Sequence, residues 1–335
     1  MAISPEFYMQ LAIDAAWRYA FLTYPNPAVG CVVLDKHGAL LSIAAHQKAG
    51  GPHAEVLALQ EAYAKKSGDN AILALQKSDE IHDYLTQHHA GLLRGAKLYV
   101  TLEPCHKVGK TPACSRLLAE IGVAELFIGA RDTTSMGGGA IFLASSGCRV
   151  TYDVLAQKAQ ALLEPFLAWQ SGRTVVLYKW AQHQNGAYEG KIVSCETSRR
   201  HVHALRSVID RLYIGGNTVR IDAPTLDARL VEGKVPNVTI LSRQKVWAHE
   251  APLWHVPHRE VTVEENLSTL SSYGLVLVEG TQGLWEAFAP YVTYDLVYTT
   301  PHMRQGATID AVRDGTYVAS MAMGEDQFHI IKRKP

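Results

Sequence analysis

No stretch of this 335-residue chain stays apolar for about 18 residues, and no basic-then-apolar leader opens it. The sequence therefore predicts neither a membrane span nor a secretory signal, and places the protein in the cytoplasm. Net charge is missing too. Thirty-two basic residues balance thirty-two acidic ones, which argues against a protein that coats nucleic acid or an anionic membrane but leaves room for small anionic ligands held by a few placed arginines. Cysteine is scarce: five residues, an odd number without disulfide-like spacing, fit a reducing compartment. With 47% hydrophobic and 19% charged residues, the chain has a soluble, globular composition. It is too long for one ordinary core, which predicts two domains. No assembly state follows from these numbers, and a homo-oligomer stays open.

Among the few cysteines, two stand in a pattern that carries chemistry. Gly51-Pro52-His53-Ala54-Glu55 is followed by Glu103-Pro104-Cys105 and then by Cys114. His53, Cys105 and Cys114 are three zinc ligands of suitable softness, and three protein ligands leave a tetrahedral position open, the mark of a catalytic rather than a structural site. Two thiolates cancel most of the metal's charge, so a neighbouring carboxylate is needed to take a proton from water and hand it on; Glu55 is that group. His-x-Glu with Pro-Cys and a second Cys is the nucleobase-deaminase arrangement. Pro52 cannot extend a preceding helix and residues 54–62 are rich in helix formers, so His53 and Glu55 fall at a helix start; Thr111-Pro112 sets Cys114 in the first turn of a second helix. Lys97 to Leu102 reads as a strand delivering Cys105.

Elsewhere in the first half, Ser4-Pro5 predicts a helix start with Tyr8, Leu11, Ala12, Ala15, Ala16 and Tyr19 at helical spacing. Asn26, fixed between Pro25 and Pro27, either offers both ends of its amide to a ligand or serves only the turn. Residues 31–34 read as a buried strand and 124–129 as another, 137–139 as a glycine loop and 153–167 as a closing helix, together an α/β sandwich. The polar segment 65–95 predicts a helical surface excursion whose histidines, His82, His88 and His89, are solvated.

The phrases Pro25–Cys31, His46–Gly50, Pro52–Val56, Thr101–Cys105 and Gly109–Cys114 resemble the bifunctional pyrimidine deaminase–reductase family of riboflavin biosynthesis. Eight residues between the two cysteines is that family's spacing. The resemblance implies a zinc-dependent, cytidine-deaminase-like three-layer α/β/α domain over residues 1–168, in which Asn26 contacts the substrate pyrimidine. After a joint at 168–173, it implies a dihydrofolate-reductase-like α/β domain over 173–335 that uses NADPH.

In that second half, Lys179-x-Ala181 with Asn185-Gly186 resembles the family's opening strand and turn, although Asn185 and His183 replace its Asp and Ser. Thr218 to Arg229 follows the family's Thr-Val-x-x-Asp-x-Pro-x-Leu-x-x-Arg. By this correspondence Thr218 and Asp222 face the nicotinamide dinucleotide, Leu226 lies beside the substrate, and Arg206 and Arg229 hold its phosphate. Glu279 at the end of strand 275–279 is placed to contact substrate, and the turn Thr281-Gln282-Gly283 at a helix start can receive a pyrophosphate. Ser242 and Arg243, closing the strand that begins at Val238, offer a hydroxyl and a guanidinium to the 2′-phosphate that distinguishes NADPH. The expected substrate is a phosphorylated pyrimidine riboside, deaminated and then reduced from ribosyl to ribityl. Three other readings stay open: a deaminase only, with a non-catalytic or altered reductase-like domain; a tRNA or nucleoside deaminase with an unrelated appendage, which would need a basic surface; and a zinc-stabilised binding protein, which would not need Glu55.

Overall fold

A computed structural model describes residues 3–109, 111–190, 192–244, 247, 250–309 and 315–334. The chain divides into two compact units, Met1–Phe166 and Leu167–Pro335.

The first unit begins with helix α1 (Pro5–Trp17), strands β1 (Gly30–Leu34) and β2 (Leu40–Ala45), and helix α2 (Ala54–Ser67). Helix α3 (Ser78–His88), strand β3 (Lys97–Leu102), helix α4 (Cys114–Ile121) and strand β4 (Glu125–Ala130) follow. It closes with α5 (Gly139–Ser145), β5 (Arg149–Thr151) and α6 (Ala156–Gln170). The sheet order is β2-β1-β3-β4-β5, antiparallel from β2 to β3 and parallel from β3 to β5. Every residue of β1, and all of β3 beyond Lys97, is buried. Side chains on a strand alternate between faces, so both faces of this sheet are covered and the unit is a three-layer α/β/α sandwich.

The buried side of α1 is Tyr8, Met9, Ala12, Ile13, Ala16 and Trp17, a stripe rotated by about one position from the spacing read in the sequence. Its approach to β1 is a backbone contact: a Cβ on Gly30 would lie 1.9 Å from the Ala12 carbonyl oxygen, so the glycine sets how closely the helix sits. The segment 65–95 forms the end of α2, a short 3-10 turn and α3, as expected, but His82 is buried rather than solvated. Helix α3 packs on α2 and α4, and His82 is on its inner side. Helix α5 starts at the third of the three glycines read as a loop, and α6 runs on to Gln170, through the first residues of the anticipated joint.

The second unit contains β6 (Val175–His183), α7 (Glu196–Val208), β7 (Arg211–Gly215), α8 (Gly216–Asp222) and β8 (Val238–Leu241). It continues with β9 (Val261–Glu264), β10 (Leu275–Glu279), α9 (Gln282–Phe288), β11 (Tyr294–Thr300), β12 (Gly315–Met323) and β13 (Asp326–Arg333). Eight strands lie in the order β12-β13-β11-β6-β10-β7-β8-β9. From β11 to β9 they are parallel, and β13 and β12 are antiparallel. Strands β10 and β7 are apolar along nearly their whole length, as parallel strands covered on both faces must be. Such a sheet gathers its polar and charged groups at the carboxyl ends of the strands, where open α/β sheets bind ligands.

Candidate active sites

In the first unit, the N-termini of α2 and α4 and the segment after β3 bring His53, Cys105 and Cys114 together, their ligand atoms all within 4.8 Å of one another. His53 Nδ1 lies 3.7 Å from Cys105 Sγ and 3.3 Å from Cys114 Sγ. Tetrahedral zinc with bonds of about 2.3 Å to sulfur and 2.0–2.1 Å to nitrogen would space a nitrogen and a sulfur ligand by ~3.6 Å, so the donor set fits that ion. With Nδ1 turned to the thiols, the ring proton belongs on Nε2, which faces Thr111 Oγ1 at 3.4 Å. The Cys114 backbone N–H donates to Cys105 Sγ at 3.3 Å. Hydrogen bonding from Cys114 and the neighbouring His53 hold the Cys105 thiol below its ordinary range. No second cluster of three metal-ligating side chains occurs among the described residues.

Glu55, in the first turn of α2, is 4% exposed. Burial pushes its carboxyl above the usual range, the direction that suits a group exchanging protons near neutrality. Glu103 acts on the backbone instead, its carboxylate accepting from the N–H groups of Asp132, Gly138 and Ala140. It thereby ties the loop before α5 to the cysteine segment. Lys110, within the motif phrase Gly109–Cys114, lies outside the described residues.

Asn26 is connected to the cluster. Its Nδ2 is 3.4 Å from His46 Nε2, while His46 Nδ1 is 2.9 Å from the Pro52 carbonyl oxygen. A carbonyl only accepts, so Nδ1 carries the proton and Nε2 accepts from the Asn26 amide. Burial lowers His46 to about 4, which keeps it neutral in that tautomer. The turn itself is served by Thr23, whose hydroxyl donates to the Asn26 carbonyl. Neither His46 nor Thr111 has ligand spacing in the sequence, so sequence reasoning does not find them.

In the second unit, β6 and β10 run in register with Lys179 opposite Glu279. Arg206, from α7, donates through Nε and Nη2 to Glu279 Oε1 and Oε2 at 2.7 and 2.8 Å, and through Nη1 to the Asp227 carbonyl at 3.2 Å. Lys179 Nζ is 3.9 Å from Glu279 and 5.8 Å from the centre of the Tyr298 ring. Arg229 is 63% exposed at its side chain and holds both Asp227 carboxylate oxygens at 2.9 Å. Leu226 is buried with a positive φ of 55°, and its carbonyl accepts from Arg259, which also takes the Thr225 carbonyl at 2.6 Å. The sequence reading gives Lys179 no role at the site; a lysine in the middle of a strand whose neighbours Val175–Tyr178 and Trp180-Ala181 are apolar is the available signal.

The residues expected to meet the dinucleotide lie along the strand ends. Thr218 is half-buried on α8 and Asp222, at its end, is exposed. Thr281 and Gly283 are exposed; Gln282 bonds Glu286 at 2.8 Å, and the Thr281 carbonyl accepts from Tyr178. Ser242 follows β8, and Arg243 beside it is exposed. Another guanidinium reaches Ser242 from α8. A Cβ on Gly216 would lie 2.6 Å from Ser242 Oγ and 3.0 Å from Arg220 Nη2, so hydroxyl and guanidinium converge over this glycine. Arg220 Nη1 is closed from solvent with no hydrogen-bond partner among the described residues, and the guanidinium stacks on Trp247 with 5.3 Å to the ring centre. A buried, unmatched donor beside a hydroxyl suits a ligand phosphate.

Residues 3–130 match the family profile for the cytidine and deoxycytidylate deaminase zinc-binding region, and residues 181–289 match that for the RibD C-terminal domain. The riboflavin biosynthesis protein RibD of Mycobacterium tuberculosis is 31% identical over 327 residues, covering 91% of this chain and 87% of that protein. The chain belongs to the RibD family. RibD of Aquifex aeolicus is likewise 31% identical, over 81% of this chain and 73% of the relative. A crystal structure from Thermotoga maritima, a diaminohydroxyphosphoribosylaminopyrimidine deaminase/5-amino-6-(5-phosphoribosylamino)uracil reductase, superposes with a TM-score of 0.62 at 26% identity over 98% of this chain and 99% of that one. As a RibD protein the chain is a bifunctional enzyme of riboflavin biosynthesis, a zinc-dependent deaminase joined to an NADPH-dependent reductase. The cytidine-deaminase-like and dihydrofolate-reductase-like folds implied by the sequence resemblance are the ones found.

Proposed function

We propose that the first unit hydrolyses the ring amino group of diaminohydroxyphosphoribosylaminopyrimidine, and that the second reduces the ribosyl group of the resulting 5-amino-6-(5-phosphoribosylamino)uracil to ribityl. The observation that carries this reading is the meeting of His53, Cys105 and Cys114 within 4.8 Å, with Glu55 buried two residues from His53 on the same helix start. These three side chains would hold one zinc ion, which when bound makes water acidic enough to surrender a proton near neutral pH.

Glu55 takes that proton and returns it to the departing exocyclic amino nitrogen, which leaves as ammonia; oxygen from water remains on the ring carbon. Its raised affinity for protons lets one carboxyl perform both transfers. Thr111 orients His53 through the ring nitrogen that does not face the thiols. Asn26, held by neutral His46, keeps its amide oxygen and second N–H for the pyrimidine edge, whose donors and acceptors alternate in the same way.

In the second unit Arg229, largely exposed at the site's rim, meets the substrate phosphate. Glu279, at the end of β10, and Lys179, midway along β6 and opposite it, are nearly enclosed and face the sugar–base junction, with Leu226 as an apolar wall. The residues that would hold NADPH are Thr218, Asp222, Ser242, Arg220 and the turn 281–283, with Arg243 at the edge; the cofactor supplies the hydride. Zero net charge favours a small-molecule substrate over a nucleic-acid or anionic-membrane partner, and the cytoplasm is the proposed location; among the described residues no helix is long and apolar enough to cross a membrane. Incubating the purified chain with the diaminopyrimidine phosphate, with and without NADPH, tests the reading by product mass. It requires replacement of one amino group by oxygen without NADPH, and a further gain of two hydrogens with it. An unchanged substrate mass in both arms rules it out.

A further inference from the structure

We propose that Arg259 is a positioning residue of the reductase site: by holding the carbonyls of Thr225 and Leu226, it turns the backbone N–H groups of Leu226 and Asp227 toward the substrate's phosphate. The role rests on the reductase reading above. Arg259 stands just before β9, outside the stretch Thr218–Arg229 that follows the family motif. Its Nη1 donates to the Thr225 carbonyl at 2.6 Å and to the Leu253 carbonyl at 3.4 Å. Nε donates to the Pro236 carbonyl at 3.0 Å, and Nη2 to the Leu226 carbonyl. Four of its five N–H groups therefore go to backbone oxygens, and the guanidinium ties the loop 225–229 to the segments on either side of β8.

In a trans peptide the carbonyl and the N–H that follows it point in opposite directions. With two carbonyls drawn to Arg259, the N–H groups of Leu226 and Asp227 face the other side of the loop, and neither has an acceptor among the described residues. Leu226 lies between the two peptides with a φ of 55°, a left-handed conformation that a non-glycine residue keeps only where its surroundings hold it. Successive N–H groups beside a left-handed residue form a concavity that suits an anion. Next in the chain, the Asp227 carboxylate fixes Arg229 at 2.9 Å through both oxygens. The guanidinium at the site's rim and the two free N–H groups are thus carried by one short loop. Burial, with Arg206 nearby acting the same way and Asp227 against it, lowers Arg259 to about 10. It stays charged at neutral pH, and its charge adds to the loop's attraction for an anion.

The test uses the full chain with Arg259→Met and Arg259→Lys. Reduction by NADPH is followed with the deaminated substrate and with the same compound lacking its phosphate, and ribose 5-phosphate binding is measured by calorimetry. Deaminase activity and melting of the same preparations report folding. A positioning role predicts that Arg259→Met raises KM for the phosphorylated substrate and weakens ribose 5-phosphate binding, each by about tenfold, the loss of a bond to a charged group. Over the same comparison kcat, NADPH binding and kcat/KM for the unphosphorylated compound should change by less than about threefold. Arg259→Lys keeps the charge but reaches fewer carbonyls, so it should fall between the parent and Arg259→Met, and it carries the same comparison where the methionine variant melts too early to assay. Equal losses on the phosphorylated and unphosphorylated compounds would make Arg259 a support of the fold at large. Ribose 5-phosphate binding unchanged in Arg259→Met would show that the loop needs no such clamp, and either result overturns the proposal. A parental chain that forms no reduced product would end the reductase reading and this role with it, and is distinguished because the parent itself fails.

Discussion

The Nδ2 atom of Asn26 lies 3.4 Å from Nε2 of His46, and the opposite nitrogen of the same ring is bonded to the carbonyl of Pro52, the residue before His53. A side chain on the loop before β1 is thereby coupled to the backbone that sets the first metal ligand. His46→Ala should therefore raise the deaminase KM by roughly tenfold, the loss of one well-placed hydrogen bond, and leave zinc content unchanged. Steady-state kinetics with metal analysis decide it; an unaltered KM would show that Asn26 needs no such support.

The same ring gives a pH expectation. Burial lowers His46 from 6.5 to about 4, so the folded state favours the neutral form more than the unfolded chain does. The stability this contributes is full above about 6.5 and is lost as the pH falls toward 4. Melting temperature should drop over that window, and His46→Gln, which cannot ionise, should show a shallower drop. Parallel melting curves of the two proteins from pH 4 to 7 make the comparison.

The purified protein should carry one zinc per chain, since the described residues contain one cluster of suitable donors. Cys105→Ser and Cys114→Ser should each lower the bound metal, measured by elemental analysis after dialysis. Full occupancy in both variants would mean that the ion sits elsewhere.

Glu55→Gln should retain zinc and fold yet lose deamination by about 100-fold or more, as when a general acid–base is removed. Reduction of already deaminated substrate should continue, because Glu55 belongs to the other unit. A parental deamination rate in this variant would remove Glu55 from the proton path.

The metal cluster is legible in the sequence because its ligands carry their own local signals, proline-marked helix starts and a strand, and because His, Cys and Cys have few other reasons to occur in that order. Asn26 is half-legible: two prolines mark a fixed turn, but only the position of Thr23 shows that the turn does not need the amide. His82 reads as solvated because segment 65–95 is polar on average, whereas burial there depends on one side of α3 meeting α2 and α4. Arg206 illustrates a further limit. A basic residue near a helix end, in a family motif, reads as a phosphate ligand, but the sequence does not show that it also bonds Glu279, which is 73 positions away and arrives only because β10 inserts between β6 and β7. Local spacing carries no record of such a crossover.

The final expectation concerns how the second unit tells NADPH from NADH. The strand-end pair Ser242-Arg243 points to Arg243 as the partner of the 2′-phosphate, but its side chain stands in solvent, where an ion pair is screened and worth little. Arg220 is better placed: Nη2 is anchored on Asn217 at 2.7 Å, the plane is stacked on Trp247, and Nη1 is enclosed without a partner among the described residues. A guanidinium fixed in this way loses little freedom when it binds phosphate, and its buried donor is matched only when the phosphate is present. Charge-assisted hydrogen bonds of about 1.5–3 kcal/mol convert to roughly tenfold to a hundredfold in affinity. Arg220→Ala should therefore weaken NADPH binding by that factor and leave NADH nearly untouched, while Arg243→Ala changes NADPH binding by less than about threefold. Titration of each variant with NADPH, NADH and 2′-phosphoadenosine, read by calorimetry, separates the two arginines without reliance on turnover. Equal weakening of NADPH and NADH in Arg220→Ala would show that it supports the fold of the site rather than reading the phosphate, and a tenfold loss in Arg243→Ala would return the assignment to the strand-end pair.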